Sequence, residues 1–209
     1  MRRIVVLALL LTYIPAHANA APSDDALTVL NSLSVKGRAA KTGYTRAQFT
    51  HWSDLDRNGC DARNDTLKRD LTALVFKVGT RDCKVITGSL LDPYSGKVIT
   101  FSSTKSTIDI DHVVALSNAW QTGAAYFDKT KRQQIANDPL NLLAVDFTLN
   151  RQKGDGDAAT WLPPLKSYRC DYVSRQVAVK AKYGLWVTQP EKDAIVKILE
   201  KCVGQKLPS

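Results

Sequence analysis

Ile108-Asp-Ile-Asp-His112 and, further on, Asn141-Leu-Leu-Ala-Val-Asp-Phe-Thr-Leu-Asn150 with Lys153 just beyond it decide how this chain folds. The first stretch alternates isoleucine with aspartate, the period-2 pattern of a strand, and ends on an adjacent acid and histidine. The second opens with Leu142 to Val145, an apolar run long enough for another strand. Asp146 then suits a helix N-cap, and Asn150 falls about one turn into that helix. Strand, connection, strand and short helix would form a compact cradle over residues 107–155. Asp111 and His112 lie on its first strand and Asn150 on its helix.

That combination of side chains suits phosphodiester cleavage. Asp111 and the Asn150 amide oxygen are hard ligands of the kind Mg2+ accepts, and Mn2+ is an alternative. Mg2+ keeps several waters that substrate can displace. A free imidazole with a pKa of about 6.5 makes His112 a general base at neutral pH, taking a proton from the attacking water. Neighbouring side chains on a regular strand diverge, so Asp111 and His112 must reach different partners or sit where the strand becomes irregular.

The ordered set Asp111-His112, Asn141 and Asn150 resembles the HNH (ββα-metal, His-Me finger) endonuclease motif, and the wider chain is similar to small secreted bacterial members. The similar segments are Gly59-Cys-Asp-Ala-Arg-Asn64, Asp92-Pro-Tyr-Ser-Gly96, Asn118-Ala-Trp120, Ala136 to Val145 and Asn150 to Asp155, within about residues 44–185. The resemblance implies metal ligation by Asp111 and Asn150, general-base catalysis by His112, and an Asn141 that steadies the loop and the histidine. It also implies a phosphate-clamping Arg63, for which the structural alternative is an ion pair with Asp61 or Asp65. The last motif position holds Asn150 where many members carry His.

The chain opens Met1-Arg-Arg, continues through apolar Ile4 to Leu11 and reaches Ala18-Asn-Ala20. A basic start, a short apolar run and an A-x-A site make a signal peptide, residues 1–20, with cleavage expected after Ala20. The mature protein, residues 21–209, would be a secreted or periplasmic single domain, and no later segment is apolar enough to span a membrane. The formal charge is +9, and +7 without Arg2 and Arg3. Such a balance favours nucleic acid, DNA or RNA, as partner, with no membrane association and a monomeric state expected. Ordinary solubilising charge is the bland alternative.

Cys60, Cys83, Cys170 and Cys202 all follow the signal, and an even count in an exported chain reads as two disulfides. Of the three pairings, Cys60–Cys83 with Cys170–Cys202 is favoured because each bridge brackets one continuous stretch. A four-cysteine zinc site lacks any C-x-x-C pair.

The remainder reads as an α+β fold in which a β-hairpin and helices surround the finger. A helix is expected over residues 23–33 with Ser23 as N-cap, and Thr45 is expected to cap a helical turn that places Phe49 and Trp52 inward. Asp54-Leu-Asp56-Arg-Asn58-Gly59 resembles half of a calcium (Ca2+) loop, but Asp65 stands where a bidentate Glu is needed, so a polar turn is preferred. A helix is expected from Asp65 to Val75 with Leu67, Leu71, Leu74 and Val75 facing the core. A hairpin follows over residues 84–101, with Asp92 to Gly96 as its turn. Trp120 is expected in the core, and Lys129 to Arg132 lies on a helix beside the site. Arg151 and Lys153 are candidate phosphate contacts, with surface solvation as the alternative for Lys153. Helices are expected over residues 172–183 and after Thr188, the latter closed by Gly204. His51, the other mature histidine, is expected to lie outside the site. Two competing functions are a basic extracellular binding module and a calcium-binding surface protein.

Overall fold

The computed structural model describes residues 24–105 and 107–208, so the expected signal peptide lies outside the described residues. Its centre is the antiparallel pair β4 (Ile108–His112) and β5 (Leu142–Asp146), in register from Ile108 opposite Asp146 to His112 opposite Leu142. Helix α5 (Phe147–Lys153) follows directly, and the Asp146 carboxylate accepts the Leu149 N–H as its N-cap. The expected strand–strand–helix unit is therefore present. β5 reads as a continuous apolar run because both its faces are buried. Leu142 and Ala144 join a cluster with Leu67, Leu71, Phe101 and Ile110, and Leu143 and Val145 join one with Tyr94, Tyr172 and Val177.

A second antiparallel sheet has the order β1 (Thr72–Phe76), β2 (Val85–Leu91), β3 (Val98–Ser102). The expected hairpin is its β2–β3 half. The expected Asp65–Val75 helix is corrected: α2 runs Ala62–Asp70, and Leu74 and Val75 belong to β1. Arg69 pulls the chain out of the helix by donating to the carbonyls of Pro139 and Leu142, while the Asp70 carboxylate accepts the Ala144 N–H. Leu71 and Leu74 then pack on Gly88 of β2. A Cβ there would meet Leu71 Cδ2 at 2.9 Å, so only a glycine admits them without a shift.

Between β4 and β5 the chain forms α3 (Leu116–Gln121) and α4 (Lys129–Asn137). Trp120 lies in the core beside Phe49 and Ile135, as expected. Helix α1 (Ala26–Ser32) is capped by Asp25 rather than Ser23. Helices α6 (Arg169–Tyr183) and α7 (Gln189–Leu199) pack on the β5 face opposite α2, with a Thr188–Glu191 capping box starting α7. Gly204 does not close α7, which ends five residues earlier. The expected disulfides, Cys60–Cys83 and Cys170–Cys202, are both formed. Among the described residues no helix is long and apolar enough to cross a membrane.

Candidate active site

Helix α5 lies against one face of β4. Asp109 and Asp111, two residues apart on a strand, share that face, and Asn150 and Lys153, three apart on a helix, face it. The amide nitrogen of Asn150 donates to Asp109 Oδ2 at 3.1 Å, and Lys153 Nζ donates to Asp111 Oδ1 at 2.9 Å. The same ammonium reaches the His112 carbonyl at 2.9 Å. Tyr94 donates its hydroxyl to the other Asp111 oxygen at 2.5 Å. Asp111 and Lys153 are thus a buried pair, 5% and 0% exposed along their side chains. The surface alternative for Lys153 is corrected: its ammonium is buried and committed to Asp111 and the His112 carbonyl.

His112 ends β4 and is 4% exposed. Its Nε2 lies 2.9 Å from the Ala136 carbonyl. A carbonyl only accepts, so the neutral ring carries its proton on Nε2 and keeps the lone pair on Nδ1. Burial lowers its pKa from the ordinary 6.5 to about 4, with the Ala136 carbonyl acting in the opposite direction. The expectation of an unperturbed imidazole is corrected, and the ring is in its basic form well below neutral pH. The strand's divergence is also resolved, since Asp111 bonds Tyr94 and Lys153 while His112 bonds Ala136.

Asn141 is fully buried. Its Oδ1 accepts the Val114 N–H at 2.8 Å, and its Nδ2 donates to Val114 O and Ile135 O. It fastens the turn after His112 to the end of α4, next to the carbonyl that holds the ring. Trp52 stacks on His112 with ring centroids 5.7 Å apart and planes 28° apart. Thr50 and Trp52 take φ of 37° and 64°, left-handed values uncommon for such residues, and this turn carries the indole over the histidine. His51 is not remote, since its ring lies edge-on to His112 at 6.5 Å. Burial, and then Arg46, lowers the His51 pKa.

Asp111, His112 and Asn150 line one cleft of about 200 Å³, together with Tyr44, Arg46 and Asp155. The donor set fits a hard cation. Each Asp111 oxygen accepts one hydrogen bond and retains a lone pair. The Asp109 contact turns the Asn150 nitrogen away, and among the described residues nothing donates to its Oδ1. Among the described residues no three or more His, Cys, Asp or Glu side chains cluster as a metal site. A cation here would rest on Asp111, Asn150 and water.

Of the other expected residues, Arg151 is exposed and covers the Phe147 ring at 4.3 Å, outside the cleft lining. Arg63 stands over Phe101 in a separate pocket, and no ion pair joins it to Asp61 or Asp65. At Asp54–Gly59 the carboxylates of Asp54 and Asp56 accept the N–H groups of Asn58 and Gly59, which forms a polar turn. Sequence reasoning missed Tyr94, Asp109, Trp52 and Arg46. Tyr94 left a signal in the shared Asp92–Gly96 segment, Asp109 in the period-2 alternation that puts it on the Asp111 face, and Trp52 in its expected inward placement, while Arg46 left none.

The family profile described as GmrSD restriction endonucleases, C-terminal domain, matches residues 61–198. The chain belongs to the GmrSD C-terminal domain family. The matched span holds Arg63, both β4 acids, His112, Asn141, Asn150 and Lys153, while Tyr44 and Arg46, which complete the cleft, precede it. A chain from Arthroderma benhamiae, described as an uncharacterized secreted protein, is 38% identical over 191 residues, covering 90% of each chain. No solved structure matches this GmrSD-type chain.

Proposed function

We propose that this protein is a secreted, metal-dependent endonuclease of the HNH type. It hydrolyses phosphodiester bonds of DNA or RNA with little sequence preference. The observation that carries the reading is the state of His112: Nε2 occupied by a backbone carbonyl, Nδ1 left to accept, and Asp111 and Asn150 oxygens in the same cleft. A binding module has no use for that arrangement, and the family described as restriction endonucleases supports the same class of chemistry.

In this reading Nδ1 of His112 takes the proton of the attacking water as the new P–O bond forms. Asn141 and Trp52 hold the ring, the first through the Val114 turn and the second by stacking. Mg2+ or Mn2+ on Asp111 and Asn150 would stabilise charge on the phosphate and the leaving oxygen. Lys153 and Tyr94 fix the Asp111 carboxylate, and Asp109 fixes the Asn150 amide. Arg46, at the cleft mouth without a carboxylate in ion-pair range among the described residues, meets the substrate phosphate. The signal sequence, two disulfides and the secreted fungal relative support export to an oxidising compartment.

The mature protein should be incubated with plasmid DNA and with RNA, in Mg2+ and in EDTA. Cleavage in Mg2+ that EDTA abolishes is the expected result. Binding without cleavage of either polymer overturns the enzymatic reading in favour of a binding module.

A further inference from the structure

A second pocket, about 260 Å³, opens beside β4 on the far side of Asp109 from the cleft. Arg63, Lys84 and Lys105 line it with Asn64, Ser102 and Asp109. Three cations against one carboxylate leave it net positive. Arg63 is half-buried over Phe101, and among the described residues it makes no ion pair and no hydrogen bond. A guanidinium has five donors and no acceptor, and those of Arg63 are left facing the pocket and solvent. Lys84 and Lys105 likewise have no ion pair among the described residues.

The fold holds these like charges together. Cys60, three residues before Arg63, is bridged to Cys83, next to Lys84. Asn64 closes the same corner, bonding Asp61 through its nitrogen and accepting the Val85 N–H through its oxygen. Lys105 arrives on the turn after β3, where its N–H bonds Ser102 O. Covalent and hydrogen-bonded supports thus hold the three cations around one pocket, with the Asp109 carboxylate as its single acid.

We propose that this pocket is a subsite for a second phosphate of the nucleic-acid strand, one nucleotide from the bond that is cut; this rests on the endonuclease reading of the cleft. Ile108 and Asp109 line the pocket, and Ile110 to His112 line the cleft. The two sites are therefore lined by consecutive residues of β4, whose rise over two residues is about 7 Å. A strand whose reacting phosphate lies at Asp111 would therefore place its neighbour against Arg63. The ligand is a phosphodiester, recognised by charge and a fork of donors without reading the base.

The test uses the double variant Lys84→Gln/Lys105→Gln, whose altered side chains are exposed, and separately Arg63→Gln. Each is compared with wild type on a dinucleotide with one phosphodiester and on a short single-stranded oligonucleotide. Counterion release gives about 0.7 in the salt exponent per lost contact, or about fivefold per cation near 0.1 M salt. The double variant should lose about 25-fold in kcat/KM on the oligonucleotide, through KM, and nothing on the dinucleotide. Equal loss on both substrates, or none on either, overturns the subsite. If wild type cuts neither substrate, the endonuclease reading fails and anisotropy of the labelled oligonucleotide in EDTA still decides. A salt slope about 1.4 lower in the double variant supports the pocket, and an unchanged slope overturns it. Inorganic phosphate is the control for a free anion: tight phosphate binding with unaltered oligonucleotide affinity also overturns it.

Discussion

Lys153 is the residue on which the geometry of Asp111 turns. Its ammonium is fully buried and neutralises a carboxylate that is itself buried, so removing one partner leaves an uncompensated charge. Lys153→Met should lower stability by about 3–5 kcal/mol in urea denaturation, with cleavage falling as well. A loss below about 1 kcal/mol would show that the pair is screened by solvent in the native state. Asp109 has a different role. Asp109→Ala frees the Asn150 amide to turn, so cleavage should fall and the metal concentration giving half-maximal rate should rise. Asp109→Asn, which still offers an oxygen to the Asn150 N–H, should recover part of the loss. Equal damage from the two substitutions would argue against an orienting hydrogen bond.

Helix α7 is held at its start by Thr188, whose hydroxyl accepts the Glu191 N–H, while Glu191 also meets buried Lys180 on α6 at 2.9 Å. Thr188→Ala should cost about 1 kcal/mol in thermal unfolding, and no shift in midpoint would mean the cap is redundant. That start was legible locally, as were β4, β5 and α5, because alternation, an apolar run and an N-cap aspartate act within a few residues. The β1 strand was not. Leu67, Leu71, Leu74 and Val75 repeat at helical spacing, and what ends the helix is Arg69 reaching the carbonyls of Pro139 and Leu142. In the site, the ordered Asp111, His112, Asn141 and Asn150 could be read from the resemblance. Tyr94 and Trp52 could not be placed, because each reaches the site from a loop distant in sequence. The burial that lowers the His112 pKa is likewise a product of packing.

At the scale of the molecule, two bridges and a tyrosine-rich core set the conditions under which the protein holds together. Burial raises the pKa of Tyr94, Tyr172 and Tyr183, and raises Tyr168 to about 12. A group raised in the folded state contributes stability that is complete below its unfolded pKa, near 10, and is lost as pH climbs through the folded value. Unfolding should therefore set in between pH 10 and about 12, with phenolate absorbance rising in step with loss of structure. Ionisation of Tyr94, Tyr168 and Tyr172 near pH 10 with the fold intact would contradict the assigned burial. Reductant should lower the unfolding midpoint, each bridge contributing roughly 2–4 kcal/mol. The central claim is that a mature chain of net charge +7 cuts nucleic acid through His112. The most direct measurement is plasmid cleavage in Mg2+ by wild type and by His112→Ala, with DNA affinity measured alongside. The account predicts a rate loss on the order of 10²–10⁴ with affinity nearly unchanged. Cleavage by His112→Ala at the wild-type rate would contradict it.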